Sequence, residues 1–142
     1  MKIIFDYNRT IFNPETDTLY DGVFELLKDL SLKHNLVLVS KDEMGREAKL
    51  KDFGIVKYFD NTIFVEEKTA EIFKSLVKDN EKVLVVGDRV RGEISIGNKL
   101  GFITIWVNQG KFANEIPRNQ NEIPNHSISE IKYLSEIIKI YE

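Results

Sequence analysis

The chain has 142 residues, with 42% hydrophobic and 30% charged residues, a size and balance that allow one self-sufficient globular core. It contains no cysteine, which excludes a disulfide scaffold, thiolate zinc sites, iron–sulfur clusters and a cysteine nucleophile, and only two histidines, His34 and His126, which argues against a histidine-rich metal centre. A net charge of −3 gives no pull towards nucleic acid or anionic membrane, no apolar run approaches the length of a membrane span, and the start MKIIFDYN has no secretory character; the expectation is a cytoplasmic protein.

In chain order, short apolar and β-branched runs occur at Lys2–Phe5, Leu36–Val39, Thr62–Val65, Val83–Val86 and Phe102–Val107. Each is apolar at nearly every position, as strands covered on both faces are. Between them lie stretches with helical spacing. Val23, Leu26, Leu27 and Leu30 mark one stripe, and Ile72, Phe73, Leu76 and Val77 another. Ile94, Ile96 and Leu100 predict a short helix closed by Gly101, and Ile131, Leu134, Ile137 and Ile138 a last one with Ser127 or Ser129 as N-cap. Strand and helix alternate five times, which predicts a single α/β domain over 1–142, a parallel sheet with helices on both faces. Residues 108–125 have the Asn, Gln and Pro content of a surface loop.

Ligands in such sheets bind beyond the carboxyl ends of the strands. Asp6 follows the first strand, Ser40 the second, Glu66, Glu67 and Lys68 the third, and Gly87 and Asp88 the fourth. Any one of these is an ordinary turn former or helix cap. Together they meet the needs of phosphoryl transfer. One carboxylate can attack phosphorus, two further acids suit Mg²⁺, and a hydroxyl and an ammonium can take the charge of the transferring group. Asp6, Asp88 and Glu93 supply three negative charges, which one Mg²⁺ and Lys68 cancel.

On these residues the sequence resembles the haloacid dehalogenase-like (HAD) superfamily, specifically its small capless phosphatases. The family's D-x-D-x-T stands here as DYNRT, its second motif as Ser40, its third as Lys68 in VEEKTAEIF, and its G-D-x-x-x-x-D as GDRVRGE. The resemblance implies a three-layer Rossmann-like sheet of five main strands in the order 5-4-1-2-3. It makes Asp6 the nucleophile, with Mg²⁺ on the carboxylates of Asp6 and Asp88 and on the backbone carbonyl of Asn8. Glu93 would support that shell, and Ser40 and Lys68 would hold phosphate oxygens, while Thr10 shapes the turn.

The motifs depart from the family at three places. Asn8 replaces the acid that protonates the leaving group and later activates water, and an amide cannot exchange that proton. Arg9 stands where a glycine is usual, which adds a positive charge able to face substrate, as does Arg89 beside Asp88. Glu93 replaces an aspartate and keeps the acid. The segments after Asn8 and after Val65 are too short for a cap domain, so small or macromolecular phosphoesters could reach the site. The leading reading is a slow Mg²⁺-dependent phosphohydrolase; the alternative, raised by Asn8 and the missing cap, is a catalytically silent relative that binds a phosphorylated ligand or a protein partner.

Overall fold

A computed structural model describes all residues, 1–142. The strands are β1 (Lys2–Phe5), β2 (Phe12–Asn13), β3 (Thr18–Leu19), β4 (Asn35–Lys41), β5 (Asn61–Val65), β6 (Val83–Gly87), β7 (Ile103–Val107) and β8 (His126–Ile128). The helices are α1 (Val23–Ser31), α2 (Arg46–Asp52), α3 (Ala70–Ser75), α4 (Ser95–Lys99) and α5 (Leu134–Tyr141). Six strands form one parallel sheet in the order β5-β4-β1-β6-β7-β8, while β2 and β3 pair as a separate antiparallel hairpin.

The predicted α/β architecture is present, but the sheet has six strands and not the expected five. Counted without the hairpin, β5-β4-β1-β6-β7 run 3-2-1-4-5, which read from the other edge is 5-4-1-2-3. The added member is β8, whose His126, Ser127 and Ile128 pair with Ile105, Trp106 and Val107 and extend the β7 edge. This strand also overturns the expected N-cap. Ser127 lies within β8, and the chain then passes through a tight helical turn at Ile131–Tyr133 into α5 with no side-chain cap.

Strict alternation along each strand divides the core between two faces. Ile3 and Phe5 point to the larger face, packed with Leu27 of α1, Leu50 of α2 and Leu134 and Ile138 of α5. Ile4, Val37, Val39 and Val85 point to the smaller face, where Phe73 of α3 is fully buried and Ile96 of α4 lies alongside. Three helices therefore cover one side and two the other. No helix is long and apolar enough to cross a membrane.

β1 sits between β4 and β6 in register, with Phe5 opposite both Leu38 and Val86, so the chain leaves all three strands along one rim. The β2–β3 hairpin fills the space between Asn8 and Asp21, and only Glu66–Thr69 separate β5 from α3; both are far too short for a cap.

The smaller face depends on one ring. Truncating Phe73→Ala should cost about 3–5 kcal/mol, lowering the urea midpoint with little change in slope. A loss below about 1 kcal/mol would mean that α3 repacks freely onto the sheet.

Candidate active site

Asp6 keeps its backbone in the sheet, its N–H donating to the Val86 carbonyl at 3.0 Å, before the chain turns sharply. The N–H groups of Thr10, Ile11 and Phe12 all converge on the Tyr7 carbonyl at 3.2, 2.9 and 3.0 Å, and the Arg9 N–H donates to Phe12 O at 2.7 Å. This knot fixes the Asp6 side chain at the end of the central strand. The Thr10 hydroxyl donates to Asp6 Oδ2 at 3.0 Å, and the Lys68 ammonium bonds Asp6 Oδ1.

Lys68 reaches the same point from the turn between β5 and α3, where the Thr69 hydroxyl caps the helix by accepting from the Ile72 N–H. Its ammonium also donates to Glu93 Oε1 at 2.7 Å. Asp88 arrives on the turn after β6, its carbonyl accepting from Trp106 Nε1 at 2.8 Å. The carboxylate oxygens of Asp6, Asp88 and Glu93 lie within 4.8 Å of one another, and all three residues are buried. Gly87 makes this possible, since a Cβ there would stand 2.7 Å from Glu93 Oε2.

Three buried carboxylates against one ammonium leave excess negative charge. Burial pushes the Asp88 carboxyl up to about 10, with the Asp6 and Glu93 charges adding to the effect. Burial, then Asp6, raise Glu93 as well, although Lys68 opposes the shift. Desolvation alone would lower the Lys68 pKa, but the Asp6 and Glu93 carboxylates outweigh it and hold Lys68 firmly protonated. Glu93 Oε2 is shut off from solvent with no hydrogen-bond partner. An all-oxygen donor set, an excess of negative charge and an orphaned carboxylate oxygen fit a hard divalent cation.

The floor opens into a cleft of about 710 Å³. Of the residues expected at the site, Asp6, Asn8, Arg9, Lys68, Asp88, Arg89 and Glu93 line it. Ser40 does not. It is buried at the end of β4, its hydroxyl donating to the Lys41 carbonyl at 3.1 Å and accepting from Arg46 Nη1 at 3.3 Å.

Arg46 and Phe112 line the cleft without having been marked by the sequence. Arg46 opens α2, lies 5.3 Å from the Tyr7 ring centroid and pairs with Glu43. Its position six residues beyond Ser40 was the only available signal. Phe112 belongs to the segment 108–125, which is more than a connection. Gln109 donates to the Arg9 and Thr10 carbonyls at 3.2 and 3.0 Å, and Glu115 accepts from Arg89 Nη2 at 2.9 Å and the Arg91 N–H at 3.1 Å.

The HAD-hydrolase-like family model matches residues 66–134. Glyceraldehyde 3-phosphate phosphatase of Methanopyrus kandleri is 27% identical over 100 residues, 64% of this chain and 43% of its own length. YfnB of Bacillus subtilis, named for the HAD-hydrolases, is 28% identical over 141 residues, 91% of this chain and 58% of its own. The chain thus spans about half the length of these curated relatives. The solved structure of D,D-heptose 1,7-bisphosphate phosphatase from B. bronchiseptica, complexed with magnesium and phosphate, superposes with a TM-score of 0.75 at 13% identity and matches both chains over their full length. The family match over part of the chain and these relatives make the sequence similar to haloacid dehalogenase-like hydrolases, and the superposition shows the same α/β architecture.

The raised Asp88 carboxyl has a measurable consequence. The folded state holds a proton that the unfolded chain, with its ordinary value near 3.8, releases. Between those limits the native state binds more protons, so metal-free stability should fall as pH rises from about 4 towards 10. Asp88→Asn should flatten that decline in thermal melts with chelator present, and Mg²⁺ should raise the wild-type melting point most at the alkaline end. A metal-free melting point that climbs with pH across this range would contradict the charge assignment.

Proposed function

We propose that this chain is a Mg²⁺-dependent phosphohydrolase that forms an aspartyl-phosphate on Asp6. The observation carrying the reading is the Asp6 carboxylate itself, buried, oriented by Thr10 on one oxygen and neutralised by Lys68 on the other. A carboxylate fixed in this way beside two further acids has the geometry of a nucleophile next to a cation site. The names of two relatives, both phosphatases, agree with it.

Asp6, Asp88 and the Asn8 backbone carbonyl would hold the metal, with Glu93 supporting them; when bound, Mg²⁺ supplies positive charge to the phosphate oxygens. An Asp6 oxygen bonds to phosphorus as the ester P–O bond breaks, and the electron pair leaves with the ester oxygen. Lys68 stays charged throughout and follows the negative charge from Asp6 to the phosphoryl group. Ser40, buried and outside the cleft lining, would have to turn its hydroxyl away from the Lys41 carbonyl and from Arg46 to join it. Water then attacks phosphorus, the bond to Asp6 breaks, and the carboxylate returns with the proton released to solvent.

Asn8 sets the rate. Its amide neither protonates the leaving oxygen nor takes a proton from the attacking water, so both half-reactions proceed without general acid–base help, which is worth about 10²–10⁴-fold. Leaving groups that depart unprotonated are preferred, and the open cleft admits large phosphoesters. A second reading, a silent protein that binds phosphorylated ligands, also draws on Asn8.

A phosphatase panel with Mg²⁺ separates them. Nitrophenyl phosphate should give a burst of about one phenolate per site and then a slow steady state, and Asp6→Asn should abolish both. Asn8→Asp should remove the burst and raise alkyl phosphate turnover by about 10–10³-fold. Activity surviving in Asp6→Asn would sink the nucleophile, and an inert Asn8→Asp that still binds phosphate esters would favour the silent protein.

A further inference from the structure

We propose that Arg9, Arg89 and Phe112 form a second anion subsite at the mouth of the cleft, which takes a carboxylate or phosphate carried on the leaving group of the substrate. The assignment rests on the reading of Asp6 as the end of the cleft that receives the transferring phosphate. Its substrates are phosphomonoesters bearing a second anionic group.

Both guanidinium groups converge on one ring. The Arg89 guanidinium carbon lies 4.1 Å from the Phe112 centroid and that of Arg9 lies 5.7 Å away, and all three residues line the cleft. Lys111 joins them at 5.5 Å from the same centroid, so three cations gather at this ring while Glu115 and Glu15 answer only two, an imbalance that favours an anion. Arg89 is held by the buried Glu115, which leaves Arg9 the less compensated, its nearest carboxylate being the exposed Glu15 at 3.8 Å. Arg9 makes no side-chain hydrogen bond and Arg89 makes one, through Nη2 to Glu115, so the terminal nitrogens of both keep donors for a planar or tetrahedral oxyanion.

The backbone points the same way. Arg9 has φ = 61°, the left-handed region where a glycine would sit without strain. The chain nonetheless places a long cationic side chain there, and the Gln109 amide clamps the carbonyls of Arg9 and Thr10 to keep the turn in that conformation. Around the acidic floor, the cleft wall carries six lysines and arginines against three carboxylates. Once the floor is neutralised, the wall is what a substrate meets, and it is positive.

The test measures binding and turnover separately, with Mg²⁺ present. Binding is read from the fluorescence of Trp106, the chain's single tryptophan, whose indole bonds the Asp88 carbonyl. The probes are propylphosphonate, 4-phosphonobutanoate and propane-1,3-diphosphonate, which share a three-carbon spacer and differ only in the far group, hydrogen, carboxylate or phosphonate. The probes with a second anionic group should bind about 10–100-fold more tightly than propylphosphonate, the gain expected for one charge-assisted contact. The better of the two identifies carboxylate or phosphate as the preferred group. Arg89→Met should shrink the preference to within about threefold, and Arg89→Lys should retain part of it. Arg9→Gly should also reduce the preference while raising the melting point, since it relieves the left-handed residue; this variant keeps the test decisive if Arg89→Met does not fold. Equal binding of all three probes by the wild type, or a preference untouched in both Arg89→Met and Arg9→Gly, overturns the subsite. Turnover of phosphate esters without any preference for a second anion would remove the subsite and leave the phosphohydrolase standing. A strong preference in a protein that turns nothing over would keep the subsite and remove the hydrolase.

Discussion

Three carboxylates that cannot all be charged and buried without compensation set the terms for the whole rim of this molecule. Asp6, Asp88 and Glu93 come from different elements, yet their oxygens lie within 4.8 Å of one another, with Lys68 as the only cation bonded among them. Removing Lys68 would leave all three uncompensated, typically at a cost of about 3–5 kcal/mol. The parallel sheet delivers Asp6 and Asp88 from adjacent strands, Gly87 leaves room for Glu93, and the knot on the Tyr7 carbonyl prevents Asp6 from swinging out to water. The fold holds more buried negative charge than Lys68 offsets, and burial together with that excess raises the Asp88 carboxyl.

Much of this was legible in the chain because it follows from local rules. Ile3, Ile4 and Phe5 read as a strand buried on both sides, and they divide between the two faces as alternation requires. Asp6 and Asp88 stand immediately after such strands, where the rim must be, and the helix around Val23, Leu26, Leu27 and Leu30 buries those four residues. β8 was not legible, because its three residues, His126, Ser127 and Ile128, carry too little pattern to stand apart from a loop and take their form from the β7 edge. Helix α2 buries only Leu50 and so shows no stripe.

The site was legible in its residue types and less so in its orientations. Ser40 occupies the expected sequence position, yet its hydroxyl is engaged by Lys41 and Arg46, a matter of rotamer and neighbour that spacing does not encode. Residues 108–125 have the composition of a mobile connection but contain Glu115 and Glu122, both with side chains nearly closed off from solvent by pairing with arginines. The Arg118 side chain leads in holding the Glu122 carboxyl down to about 2. The long-range pairs Arg89–Glu115 and Arg91–Glu122 turn a loop-like composition into a fixed wall, and Phe112 rides on that wall into the cleft.

In the proposed phosphohydrolase, the placement of Asn8 accounts for how proton chemistry can be given up while the charged floor is kept. Asp6, Lys68, Asp88 and Glu93 are mutually bonded or facing, so altering any one disturbs the charge of the remainder. Asn8 lies on the cleft wall, only partly buried, and its side chain bonds none of the four. A neutral amide there costs the fold little and spares the floor a fourth nearby carboxylate, which would push Asp88 and Glu93 still further towards protonation. Under the proposed reaction, the same amide leaves this position without a group to exchange protons with substrate and water. The neighbouring Arg9 cannot replace it, because a guanidinium keeps its proton at any pH the protein meets. What this wall offers a substrate is therefore fixed charge in place of a mobile proton, and fixed positive charge acts on anionic groups whether or not a bond is breaking.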